Sequence, residues 1–121
     1  MSLFLTSFIF EKKEYDDVFY QLDGWIDRYT QSLDGYIGME SYTNAASGRI
    51  INNYYWRDRQ SMELMMNNLQ HQQAKAQGRR WIAGYQTIIA EIEGSHNMNL
   101  PHPLADYPLR YQAQCQDPGR R

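Results

Sequence analysis

The fold turns on residues 48–93, GRIINNYYWRDRQSMELMMNNLQHQQAKAQGRRWIAGYQTIIAEIE. Arg49 to Trp56 is rich in Ile and Tyr, which suit a pleated, half-buried surface, so it is expected to be a strand. Asp58 then stands where a helix N-cap belongs, its carboxylate able to accept from the exposed amides of a first turn. Met62, Met65, Met66, Leu69, Gln73 and Ala76 share one helical face to about Gly78. Asn67-Asn68 and the glutamines after them weaken helical propensity, so a break is expected near Asn68. From Ala83 to Glu93 the period returns to two, with Tyr85, Thr87 and Ile89 alternating against Gln86, Ile88, Ala90 and Ile92.

The residues before Gly48 repeat this strand-helix-strand unit. Leu3 to Phe10 is apolar at both odd and even positions, the pattern of a strand covered on two sides. From Glu14 to Leu33 the spacing changes, and Tyr15, Val18, Phe19, Leu22, Ile26, Tyr29 and Leu33 fall at helical steps. Asp16, Asp17, Gln21, Asp27 and Arg28 fill the other face, and Asp34-Gly35 ends the helix with Gly35 free for a left-handed cap. Gly35 to Tyr42 is a strand, and residues 43–48 form a hairpin loop. The order is βαββαβ. It predicts an α+β domain over residues 1–95, with a four-stranded antiparallel sheet and both helices on one face. Several strands are apolar on both faces, so the uncovered face is expected to pack against a second copy, giving a homodimer through the open sheet face. All four prolines lie in residues 96–121, which reads as an extended tail able to wrap a partner through Leu100, Leu104, Tyr107, Leu109 and Tyr111.

Composition narrows the function. A 121-residue chain that is 42% hydrophobic supports one core. A net charge of −2, with basic residues scattered and grouped no further than pairs, argues against nucleic acid as a partner. The single cysteine, Cys115, excludes an internal disulfide and a cysteine metal cluster, and fits a reducing cytoplasm. The apolar start meets charge by Glu11, far short of the ~20 residues of a membrane span, so a soluble cytoplasmic protein with no membrane partner is expected. His96 and His102 have no carboxylate at useful metal-ligand spacing. Ten of the seventeen aromatics are tyrosines, which suits a ligand cavity or a subunit interface.

Four motifs together carry a family resemblance: GYIGMES at 35–41, GR(x)5YW at 48–56, H(x)6G at 71–78 and RRW(x)3Y at 79–85. In this set the chain resembles the antibiotic biosynthesis monooxygenase domain family over roughly residues 3–94. The resemblance implies a ferredoxin-like protomer in a dimeric α/β barrel. It also implies a cofactor-independent monooxygenase acting on a small aromatic or quinol-type molecule, with no metal or flavin. The alternatives are a non-catalytic dimer that binds a small hydrophobic ligand or serves as a structural module, and haem binding or degradation. Aligned from Trp56, the haem-degrading branch's helix tryptophan falls on Met65 and its iron-ligating histidine on Lys75. A protonated lysine cannot ligate iron, which sets the haem reading last.

For such an oxygenase the pocket needs aromatic walls and a few polar groups to hold or remove a proton. Trp56, Tyr55, Met65 and Trp81 are candidate walls, and Tyr85 a wall or a phenol donor. Asn53 can hydrogen-bond a substrate oxygen, and His71 has the right pKa range for proton transfer at neutral pH. Each also has a structural reading. The aromatics suit core or interface, Asn53 a backbone partner, and Met65 a core stripe. At helical pitch His71 falls opposite Met62 unless the helix breaks near Asn68. Glu40, in mid-strand, suits a cross-hairpin pair with Arg49.

Overall fold

A computed structural model describes residues 2–75 and 81–112, the side chains of 69–75 excepted. Its element order is β1 (Leu3–Lys12), α1 (Asp17–Ser32), β2 (Tyr36–Thr43), β3 (Ile50–Trp56), α2 (Arg59–Lys75) and β4 (Ile82–Ile92). The strands form one antiparallel sheet in the order β2-β3-β1-β4, the ferredoxin-like arrangement expected from βαββαβ.

Register decides what each face carries. β1 pairs Phe4 with Trp56, Thr6 with Tyr54 and Phe8 with Asn52. On the other side of β1, Phe4, Thr6, Phe8 and Phe10 lie opposite Glu91, Ile89, Thr87 and Tyr85. Side chains alternate along a strand, so these positions share the helix-facing surface. Leu5, Ser7 and Ile9, opposite Tyr55, Asn53 and Ile51, lie on the other, open face.

The helix-side core is Phe4, Trp56, Met62 and Met65, with Leu33, Tyr36, Tyr54 and Met66 packed on it. Trp56 is fully buried, and a buried aromatic of this size is worth roughly 2–3 kcal/mol in apolar transfer alone. Asp58 caps α2 as expected, its Oδ1 accepting from the Ser61 N–H at 2.6 Å. Ser61 Oγ in turn accepts from the Gly35 N–H at 2.9 Å. A Cβ on Gly35 would lie 2.2 Å from Asp58 Oδ2 and 2.8 Å from Ser61 Oγ. Gly35 is therefore there for this close approach and not as a left-handed cap; α1 closes at Leu33 in extended conformation, and the loop glycine with positive φ is Gly48, at 76°.

Three other expectations change. α2 runs unbroken from Arg59 to Lys75, so Asn67-Asn68 do not interrupt it; packing of Met62 and Met65 outweighs their modest propensity cost. Val18 is 56% exposed, because the buried residue that orients α1 is Thr30 and Val18 lies off its line. Asp16 is the N-cap of α1, accepting from the Phe19 N–H at 2.9 Å and from Trp81 Nε1 at 3.2 Å.

On the open face the residues after β4 fold back as a strap. Ser95 and Leu109 form an antiparallel bridge, with N···O distances of 2.7 and 3.0 Å. Leu104 is buried with Leu3 and Tyr55, and Leu5, Ile37, Ile92, Tyr107 and Leu109 pack on that cluster. Part of the face on which a second copy was expected is thus covered by the chain itself. Cys115 lies outside the described residues. No helix among the described residues is long and apolar enough to cross a membrane.

Candidate functional site

The helix-facing surface of the two central strands holds polar groups that the fold leaves unanswered. Thr6 Oγ1, Asn52 Oδ1 and Trp56 Nε1 are buried with no hydrogen-bond partner, as are Asn68 Oδ1 on α2 and Thr30 Oγ1 on α1. Thr6 pairs with Tyr54, and Asn52 and Trp56 stand two residues to either side of Tyr54, so these three lie together on β1 and β3. Asn68 follows the buried Met65 by three residues and so shares its face of α2. Buried polar atoms are bonded in more than about nine cases in ten, so this group of unpartnered atoms marks the helix-facing wall as the candidate site.

Tyr54 adds a phenol to this wall. Its pKa is pushed up to about 12, chiefly by burial, then by the carboxylate of Asp23, the phenol of Tyr36 and the carboxylate of Asp27; a hydrogen bond with the Asn52 side chain pulls the other way. At neutral pH Tyr54 is therefore a hydrogen-bond donor. Asp23 lies seven residues before the buried Thr30, almost two full turns, and so on the same side of α1, with much of the residue still exposed to solvent. Burial, and after it repulsion from Asp27, raises the Asp23 carboxyl above the usual range. α1 packs on α2 and β2, and the helix-facing side of β4 stays open, with Tyr85 64% and Ile89 52% exposed.

The sequence-based candidates divide between the two faces. Trp56 and Met65 lie in the helix-side core, both essentially inaccessible. Tyr85 is on the same side of the sheet at its β4 edge, its ring 5.5 Å from that of Phe8. Trp81 is buried at the N-terminus of α1, its ring 5.6 Å from Phe19 and its indole N–H on Asp16, which is a structural post. Asn53 and Tyr55 are on the open face, so they do not converge with Tyr85. Asn53 Oδ1 accepts from Ser7 Oγ at 2.7 Å, and Tyr55 donates to Glu40 Oε2 at 3.2 Å. Tyr55 is also raised to about 12, by burial first and then by Glu40. The side chain of His71 is outside the described residues, and the helix break on which its turning inward depended does not occur. Glu40 is bound by Tyr55 and His102 and not by Arg49, which pairs with Glu11 at 3.8 Å.

The β3 asparagine presented to the helices is Asn52, while Asn53 faces the open side. Asn52, Tyr54, Thr6, Asn68 and Asp23 are not singled out by the sequence. The two adjacent asparagines are equivalent in composition, and only the pairing of β3 with β1 shows which faces which way. A depression of about 400 Å³ lies elsewhere, at the far end of the sheet, lined by Ile9, Phe10, Glu11, Arg49, Gly84, Tyr85 and Gln86. None of the unpartnered atoms is in its lining. No group of three potential metal ligands occurs among the described residues.

This architecture is shared with solved structures of the antibiotic biosynthesis monooxygenase type. A protein assigned to that family from Chloroflexus aurantiacus superposes with a TM-score of 0.53 at 16% identity, over 79% of this chain and 98% of its own. A substituted form of SnoaB, a cofactor-independent oxygenase from Streptomyces nogalater, gives 0.57 at 8% identity, over 83% and 98%. A longer protein assigned as a chlorite dismutase gives 0.55 at 17% identity, over 75% of this chain and 44% of its own. At such identities the likeness establishes the fold. No family model and no curated protein matches the sequence.

Proposed function

We propose that this chain binds a small hydroxylated aromatic molecule between its sheet and helices and oxidises it with dioxygen, as a monooxygenase without metal or flavin. The observation that carries this reading is the set of unpartnered buried atoms on the helix-facing wall, Thr6 Oγ1, Asn52 Oδ1, Trp56 Nε1 and Asn68 Oδ1. Asn52 and Asn68 offer acceptors and Trp56 offers a donor, so the complementary ligand carries both an O–H and a carbonyl or hydroxyl oxygen. Tyr36, Tyr54, Trp56 and Met65 supply the apolar walls that exclude water. SnoaB, which shares the fold, is described as a cofactor-independent oxygenase, which supports the same class of chemistry here.

The chemistry asks little of the protein. A phenol or its keto tautomer loses a proton to give an electron-rich anion, and dioxygen then attacks the anion's carbon. Oxidation of a ring CH2 to C=O consumes one dioxygen, places one oxygen in the product and releases the other as water, so no external reductant is needed. Donors at Trp56 and Tyr54 stabilise the anion. Asp23, with its raised carboxyl and near enough to Tyr54 for its charge to raise that phenol, is the group among the described residues that fits the role of proton acceptor. Tyr85 stands at the open β4 edge, where a ligand would enter.

The test is oxygen uptake by the purified chain across a panel of anthrones, quinols and flavonols, with ligand binding followed by quenching of tryptophan fluorescence. Uptake at one dioxygen per substrate is expected, with Asn52→Ala lowering kcat/KM about 10–100-fold, the loss of one or two bonds made to the developing anion. Asn53→Ala, altering the other face, should leave kcat/KM within about twofold. Binding without uptake would make the chain a non-catalytic ligand carrier. Neither binding nor uptake would remove the reading altogether.

A further inference from the structure

Negative charge gathers at one border of the candidate site. Asp23 and Asp27 stand four residues apart on α1, a spacing that puts both carboxylates on one side of the helix. Gln31 Nε2 donates to Asp27 Oδ2 at 2.8 Å and holds the second of them. Their charges reach the sheet: burial first, and then these carboxylates, raise the phenols of Tyr36 and Tyr54, with Tyr36 adding to the effect on Tyr54. Both phenols pack on the helix-side core, and Tyr54 stands between Asn52 and Trp56 on β3.

A buried hydroxyl lies on the same side of α1. Thr30 is 2% exposed and its Oγ1 has no partner. It follows Asp27 by three residues and Asp23 by seven, so the three side chains neighbour one another along the helix. No cation is among the neighbours that raise Asp23, Tyr36 or Tyr54. Several cations of the fold are engaged elsewhere. Arg59 pairs with Glu63 and lies over the Phe4 ring, Arg57 holds the Asp34 carbonyl and the Tyr107 hydroxyl, and Arg49 pairs with Glu11. Two carboxylates and a hydroxyl are too few to enclose a divalent ion, which takes about six oxygens. An ammonium group fits better, because it donates about three hydrogen bonds and these three side chains can accept them.

We infer that the ligand of this space is a phenol bearing a basic amine on a short arm, with its ring against Tyr54 and Trp56 and its ammonium at Asp23, Asp27 and Thr30. The inference rests on the proposal that the helix side takes a phenolic ligand, and adds the charge of that ligand. Asp23 is partly exposed, so the arm lies at the border of the site and keeps contact with water. An ammonium there offsets the repulsion between the two carboxylates. A phenol with an acidic arm would meet that repulsion instead.

Three probes share one phenol ring and differ in the charge of the arm: tyramine, 4-propylphenol and 3-(4-hydroxyphenyl)propionate. Calorimetric titration into the full chain is expected to rank them in that order. Tyramine should lead 4-propylphenol by about tenfold in Kd at low salt, and by less at high salt. Asp27→Asn keeps an acceptor for Gln31 and should cut that lead about threefold, with 4-propylphenol within about twofold of its native Kd. Asp27→Lys should bring the propionate ahead of tyramine. Thr30→Val should weaken tyramine and spare 4-propylphenol, and EDTA should change none of these affinities. Retained binding of 4-propylphenol shows in each variant that the site is folded. Equal affinity for the three probes, tighter binding of the propionate to the native chain, or a preference indifferent to Asp27 would overturn the inference and leave the phenolic reading standing. A preference that EDTA removes, or loss of 4-propylphenol together with tyramine in Asp27→Asn, would overturn it as well. If no probe binds the native chain, the phenolic reading falls and the inference falls with it.

Discussion

Replacing Gly35 by alanine tests how the helix side of the sheet is held. The added Cβ would stand 2.2 Å from Asp58 Oδ2, 2.7 Å from Asp58 Cγ and 2.8 Å from Ser61 Oγ. Real Cβ atoms do not approach so closely, so Asp58 must leave its place, and with it goes the bond from the Ser61 N–H that caps α2. Loss of a helix N-cap costs about 1 kcal/mol. The bond from the Gly35 N–H to Ser61 Oγ is buried, and its loss adds about 1 kcal/mol. A total of about 2 kcal/mol in a domain of this size lowers Tm by roughly 8 °C. Thermal melts by circular dichroism, with urea unfolding to confirm the free energy, measure it. The same change in an Asp58→Ala background meets no carboxylate, so the pair should be sub-additive by about 1 kcal/mol. Gly24→Ala is the control: a Cβ there meets only Arg28 Nη1, at 3.4 Å, within a helix, and should stabilise by about 0.5–1 kcal/mol. A Gly35→Ala protein melting within about 2 °C of the native chain, or strictly additive with Asp58→Ala, would refute the reasoning.

Thr6→Val removes a buried hydroxyl that has no partner, and should raise stability by about 1 kcal/mol while weakening a phenolic ligand several-fold; a ligand-free chain destabilised by the change would mean that the hydroxyl is bonded in solution. Tyr54 has an ordinary pKa near 10 in the unfolded chain and about 12 in the folded one. Its contribution is therefore complete below pH 10 and lost as pH rises through 12, a decline of about 2–3 kcal/mol that adds to that of Tyr55 in urea unfolding and that Tyr54→Phe would remove, leaving the Tyr55 part. Leu104→Ala removes the strap's buried leucine, and by the usual cost of core truncation should destabilise by about 2–4 kcal/mol if the strap unfolds with the domain. A cost near zero in the same unfolding measurement would show that the strap comes away first.

What the sequence made legible was whatever repeats over many residues. Leu3 to Phe10, apolar at both parities, is covered on both sides at its start, where Phe4 packs on α2 and Leu3 and Leu5 on the strap. Met62 and Met65 do face the sheet, and Asp58 does cap the helix that carries them. Single-residue decisions were harder, because each depends on a contact distant in sequence. Gly35 looks like any helix-ending glycine until Asp58 and Ser61 arrive from α2. Glu40 has a nearby arginine in Arg49, yet its partner lies sixty-two residues on, in a tail with no periodicity to announce a docked structure. Asn52 and Asn53 are the sharpest case, since one step along a strand exchanges one face for the other.

That alternation along β3 also sets two unlike faces on one piece of backbone. Asn52, Tyr54 and Trp56 face the helices, while Ile51, Asn53 and Tyr55 face the strap, with Arg57 reaching Tyr107 just beyond. β3 is an interior strand, held by β2 on one side and β1 on the other, so its polar groups on either face are fixed by the same ladders. A fold can tolerate buried polar groups on one face when nothing better is available for them, at ~1–3 kcal/mol each. Here the two faces of a single strand are treated differently. On the strap side Asn53 and Tyr55 each have a bonded partner. On the helix side Asn52 Oδ1 and Trp56 Nε1 have none. The same short segment satisfies its polar groups on the side the strap covers and leaves Asn52 Oδ1 and Trp56 Nε1 without partners on the side that faces the helices. That contrast is hard to attribute to poor packing of β3 as a whole, and it is the reason for placing the ligand on the helix side.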